Sequence, residues 1–117
     1  MTTYLAVFTG TNARRTEWDA LDADTRKQRE QAGMQAWGKW MQDHQADIVD
    51  SGGPLGKTKR AGPDGISDTS NNIAGYVKVH ADSHDAAVRL FENHPHFSIF
   101  PGDAVEVMEV LPIPSKG

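Results

Sequence analysis

The stretch IAGYVKVH at positions 73–80, followed by ADSHDAAVRLFEN at 81–93, decides how the rest of the chain is read. Its first eight residues are β-branched, aromatic and alternating, the pattern of a strand with one buried face. Asp82 or Ser83 then caps a helix expected to run through Glu92, with Ala86, Ala87, Leu90 and Phe91 on its buried side. Pro95 is expected to stop that helix. After Pro101-Gly102, Ala104 to Leu111 forms a further strand, ended by Pro112 and Pro114.

Upstream the same succession appears. Tyr4 to Thr9 is a short apolar run closed by Gly10, and reads as a strand. Residues 11–24 are polar and irregular, an insertion or lid with a turn of helix near Trp18 and Leu21. From Thr25, read as the cap, Met34, Trp37, Met41 and His44 recur at helical spacing until Ser51-Gly52-Gly53-Pro54 closes the segment. Leu55 to Ala61 reads as a polar strand, Gly62 to Gly65 as a turn and Ser67 to Asn72 as a loop. The order strand, helix, strand, strand, helix, strand is that of an α+β, ferredoxin-like fold with a four-stranded antiparallel sheet in one domain, 1–117.

Two helices cover one face of such a sheet. Counting alternate residues puts Tyr4, Phe8, Tyr76, Met108 and Val110 on the other face, which is too apolar to leave wet. A homodimer packing sheet on sheet is therefore expected.

Composition narrows the partners. The formal charge is −4, against a nucleic-acid partner, whose phosphates call for a basic surface. There are no cysteines, so neither disulfides nor thiolate chemistry is available, which suits a reducing cytoplasm. The N-terminus lacks a basic, apolar leader, and no run approaches a membrane span.

The helix leading through Trp40-Met41 to a glycine-rich exit and Pro54-Leu55 carries a resemblance. So do the Asp64-Gly65 turn ahead of Gly75-Tyr76, the Asp85-Ala86-Ala87 triplet, and VEVMEVLPI at 105–113. Together they resemble the YCII-related, DGPF-type proteins of the dimeric α+β barrel superfamily. The family's Asp-Gly-Pro-Phe stands here as Asp64-Gly65-Ile66-Ser67, and the 11–24 segment is longer than typical. The resemblance implies the fold and the dimer.

The candidates for chemistry begin with ENHPHF at 92–97. His94 and His96 flank a proline. They can be a metal pair, with a third ligand from His80, His84 or Glu106. They can also be acid–base or pocket residues, or a helix cap facing the macrodipole. A metal is not expected. Asp68 can pair with a histidine for proton transfer, or simply accept main-chain N–H groups in a turn. Tyr76 can offer a phenol, Trp37 and Trp40 an apolar wall, and Trp18 a lid, although aromatics at helical spacing are commonly core. Gly52 to Thr58 ends in Gly-Lys-Thr but follows a helix, so it is not a phosphate loop. Two functions fit. One is a small-molecule enzyme using His94, His96 and Asp68 on a small carbonyl, lactone or aromatic compound without a cofactor. The other is a non-catalytic dimeric sensor or accessory module.

Overall fold

The computed structural model describes residues 1–114. Strand β1 (Thr2–Thr9) leads into α1 (Asn12–Asp19) and the long α2 (Ala23–Asp43). A turn of 3-10 helix at Gln45–Asp47 precedes β2 (Ile48–Pro54), and β3 (Thr58–Gly62) and β4 (Gly65–Thr69) follow. Then come β5 (Ile73–Ala81), α3 (His84–Arg89), α4 (Pro95–Ser98) and β6 (Ala104–Glu109). One sheet is ordered β2-β5-β1-β6 with antiparallel pairings throughout, the ferredoxin-like arrangement. The other is the two-stranded hairpin β3–β4.

Four expectations are corrected. The second strand of the main sheet is β2, in the Gly-Gly-Pro segment read as a helix stop. Pro54 and the glycines are tolerated because β2 is an edge strand whose register slips twice against β5. The residues 58–62 and 65–69, read as the sheet's second strand and a loop, pair with each other instead. The cap of α2 is Asp22, whose carboxylate accepts from the Thr25 N–H at 3.3 Å; the Thr25 hydroxyl first, and this N–H second, lower its pKa. Finally, α3 ends at Arg89, and Pro95 starts a helix at its first position instead of stopping one.

The faces also differ from the count. Antiparallel register sets Tyr4 against Val79, Ala6 against Val77 and Phe8 against Gly75. Tyr4, Ala6 and Phe8 therefore join Val77, Val79 and Ala81 under the helices, where Trp40, Ala87 and Phe91 complete the core. Each fully buried valine there contributes roughly 1.5–3 kcal/mol. The opposite face carries Leu5, Val7, Tyr76, Lys78 and Met108, by the same register. Trp40 is tied down by its indole N–H, which donates to the Leu90 carbonyl at 2.7 Å. Overall extents are 60 × 42 × 18 Å, with a radius of gyration of 16.6 Å. The hairpin is exposed along nearly its whole length. Among the described residues no helix is long and apolar enough to cross a membrane.

Candidate functional site

The connection from α3 to β6 builds the site. The chain turns at Asn93, in left-handed backbone (φ 55), and reverses into α4. His94 is the N-cap of that helix: its Nδ1 accepts from the main-chain N–H of His96 at 3.0 Å. An imidazole whose Nδ1 accepts must carry its proton on Nε2. That N–H is buried and has no hydrogen-bond acceptor among the described residues. The ring, 0 % exposed, sits among Trp37, Trp40, Phe8 and Phe91, with centroids 4.5, 4.7, 5.1 and 5.9 Å away. Burial lowers its pKa from 6.5 to about 3, helped by repulsion from His96 and His44. His94 is thus a neutral aromatic plug and helix cap.

His96 lies one layer nearer the surface, 8 % exposed. Its Nε2 is 2.7 Å from the Thr9 carbonyl, which can only accept, so the proton is on Nε2 and Nδ1 carries the lone pair. The regular ladder between β1 and β5 breaks at Thr9, whose carbonyl also takes the Asp103 N–H at 2.9 Å. The ring rests on Gly102, where a Cβ would overlap it. Burial depresses the His96 pKa; the Thr9 bond and the Asp103 carboxylate oppose the shift, and Arg14 adds to it. The ring is therefore uncharged at neutral pH, with its one hydrogen held by main chain and its lone pair making no hydrogen bond among the described residues.

His96 borders a cavity of about 590 Å³ between α2 and the sheet. Trp37, Met34 and Met41 of α2 form one wall, Phe8 and the backbone of β5 the floor, and Phe100 one end. Phe100 reaches this place because Gly33 of α2 has no side chain; a Cβ there would overlap its ring. Ser51, Gly53 and Pro54 of β2 form the far rim. A smaller cavity of about 350 Å³, bordered by Thr11, Asn12 and Arg15 from the start of α1, shares Ala74, His96 and Phe100 with the first.

The structure thus gathers His96, Trp37 and Trp40 around one cavity, with His94 directly behind its aromatic wall; Tyr76 borders it as part of β5, while its side chain falls on the opposite face of the sheet. It does not bring Asp68 or Trp18 there. Asp68 lies on the hairpin, its side chain 84 % exposed, ion-paired with Lys59 at 2.7 Å. Trp18 is buried against Phe100, 5.9 Å between centroids, and so braces the cavity's end from outside. Among the described residues no group of three His, Asp or Glu side chains gathers closely enough for a metal ion. His80 and His84 bond instead to the carbonyls of Ala46 and Val107, at 2.9 and 2.8 Å. Sequence reasoning missed Phe8, which it placed on the wrong face, as well as Phe100 and the Thr9 carbonyl. Phe100 stands four residues past His96, a spacing with no periodic element to mark it.

No protein-family model matches the chain, and no curated protein matches it. Among solved structures, it is similar to 5-chloro-2-hydroxyhydroquinone dehydrochlorinase from Burkholderia phenoliruptrix AC1100, solved as a complex with 2,5-dihydroxybenzoquinone. The two share 18% identity over 90% of this chain and 89% of that one, with a TM-score of 0.49. A likeness at that level says nothing about chemistry here.

Proposed function

We propose that the chain binds a small, flat, largely apolar molecule between α2 and the sheet, and that His96 moves a proton on it. The substrate class is a small carbonyl, lactone or aromatic compound, and no cofactor takes part. One observation carries the reading: among the described residues, the one basic side chain on the wall of the large aromatic cavity is His96, neutral and oriented by the Thr9 carbonyl. An oriented, unprotonated imidazole on an apolar wall is what a general base requires. After it takes a proton, the Thr9 carbonyl and the Asp103 carboxylate steady the imidazolium.

β-Tetralone, an enolisable bicyclic ketone, provides the test. In heavy water, the wild type exchanges its α-hydrogens faster than buffer does, and His96→Gln loses that acceleration by about a hundredfold. If the ketone perturbs no NMR signal of Trp37, Phe8 or Phe100, the binding reading falls. If it binds and no exchange occurs, the non-catalytic sensor stands in place of the enzyme. That second reading is favoured by the cavity's lining, which contains no carboxylate to relay the proton.

We also propose a homodimer through the helix-free face of the sheet, supported by Leu5, Val7, Tyr76 and Met108 lying together there. Met108→Glu then yields a single copy in sedimentation equilibrium; a wild type already monomeric removes the dimer. The reading places the chain in a reducing cytoplasm, which its lack of cysteine suits.

A further inference from the structure

Phe100 is common to three cavities. It ends the large one of about 590 Å³ and borders the smaller one of about 350 Å³. A third, of about 220 Å³ beside Trp18 and Arg29, also stops on it. Among the described residues, the first two cavities share only Ala74, His96 and Phe100. Ala74 is too small to separate them, and His96 is held by the Thr9 carbonyl and rests on Gly102. The partition is therefore the ring of Phe100.

Its place is built into the fold. The interior of α2 carries two glycines, Gly33 and Gly38, each less favourable there than alanine. A Cβ on Gly38 would meet nothing within 4 Å, whereas one on Gly33 would overlap the Phe100 ring. Trp37 of α2 and Trp18 of α1 flank that ring, with centroids 6.1 and 5.9 Å away. The Phe100 N–H donates to the Pro95 carbonyl at 2.9 Å, which ties the segment to the start of α4. The ring thus sits in a notch, gripped from two helices.

His96 stands at the same end of the large cavity, because it too borders the smaller one. A ligand that gives a proton to His96 brings its reacting atom to that end, and its body extends away along Trp37, Met41 and Pro54.

We infer that Phe100 is a specificity-determining residue, which closes the large cavity beyond His96 and restricts the ligand to compounds whose reacting carbon lies at an uncrowded end. The inference rests on the proposed small-molecule pocket and adds the shape of what fills it. A group attached beside the reacting carbon meets the Phe100 ring. The same group at the opposite end of the molecule points toward the rim at Ser51 and Gly53. Without the ring, the first group enters the smaller cavity.

Two isomers of propyl-β-tetralone are the probes. One carries the propyl group on the carbon between the carbonyl and the aromatic ring, the other at the far end of the aromatic ring. They have the same mass and similar apolar area, and calorimetry or NMR gives the two affinities. The wild type is expected to favour the far isomer by about tenfold or more. Phe100→Ala brings that ratio down to about one. Because a ratio is read, a general weakening that affects both isomers alike cancels. Phe100→Leu, which keeps a shorter apolar side chain, gives an intermediate ratio and decides the matter if the alanine variant does not fold. A ratio unchanged in the variants overturns the inference. So does a wild type that treats the isomers alike while still binding β-tetralone, and in both cases the pocket reading stands. Loss of both isomers in both variants also overturns it, because removing a partition opens space. If the wild type binds neither the isomers nor β-tetralone, the pocket reading itself falls, and the inference with it.

Discussion

The β3–β4 hairpin and the corner from Asn93 to Asp103 are both rich in polar and turn-forming residues, yet they end in opposite environments. In the hairpin, Lys59 and Asp68 form an ion pair with side chains 71% and 84% exposed. In the corner, two histidines lose nearly all contact with water. What separates them is the neighbouring surface. The corner docks on Phe8, Trp37 and Trp40, whose apolar area must be covered. Among the described residues the hairpin docks on nothing comparable, and its charges stay solvated. A titratable side chain acquires unusual chemistry here from what it is pressed against and not from its own sequence motif.

Acid is the strongest way to break this comparison. The fold holds His94 neutral with a pKa of about 3, against 6.5 for an unburied imidazole. The unfolded chain therefore takes up the proton first. His94 contributes its full stability above pH 6.5, and loses it as the pH falls toward 3. The loss amounts to on the order of 3–5 kcal/mol. His96, also depressed, adds to it in the same direction. Urea unfolding at a series of pH values checks this, and a flat profile from neutral to pH 4 would show that His94 is not desolvated.

Glycines sharpen the comparison at intermediate size. Gly52, on the cavity's edge strand, has φ 61, and a Cβ there would overlap the Tyr76 carbonyl. Gly65, in the hairpin turn, has φ 104 with open space around it. Gly52→Ala is expected to cost about 3 kcal/mol or more, from strain plus a displaced backbone, and Gly65→Ala about 1 kcal/mol from strain alone. Equal costs in thermal unfolding would mean that β2 gives way easily and is not a firm cavity rim. The smallest effect belongs to Asp68→Asn. Breaking a solvent-exposed ion pair is expected to change stability by no more than about 0.5 kcal/mol and to leave ligand binding untouched. A loss of binding would return Asp68 to the site.

How much of this was legible depended on which force fixed each part. The β5–α3 stretch was plain because its alternation and its Ser83 cap are local; the Ser83 hydroxyl accepts the Ala86 N–H at 3.1 Å. The element order followed from similar local signals in α2 and β6. β2 was hidden because Gly52, Gly53 and Pro54 are poor strand formers, and only pairing with β5 makes them one. The hairpin was hidden for a related reason: polar residues such as Thr58 and Ser67 pair without any apolar pattern. The face of β1 was misjudged because alternation gives two sets of residues but not which set meets the helices. Long-range register decides that, and register is absent from a single strand's sequence. In the site, ENHPHF announced itself, and both tryptophans of α2, Trp37 and Trp40, lay on its wall. The Thr9 carbonyl, which fixes the His96 tautomer, is main chain and has no signature at all.

The hairpin has a hydrodynamic consequence as well. A compact chain of 117 residues has a radius of gyration of about 13 Å, and this one has 16.6 Å. Its drag in solution exceeds that of a sphere of equal mass, so a single copy elutes early from a sizing column and mimics a larger particle. Replacing residues 57–70 with a tight turn should delay elution further than the lost mass explains, with association unchanged. Sedimentation equilibrium, blind to shape, is therefore the measurement by which copies of this chain are counted.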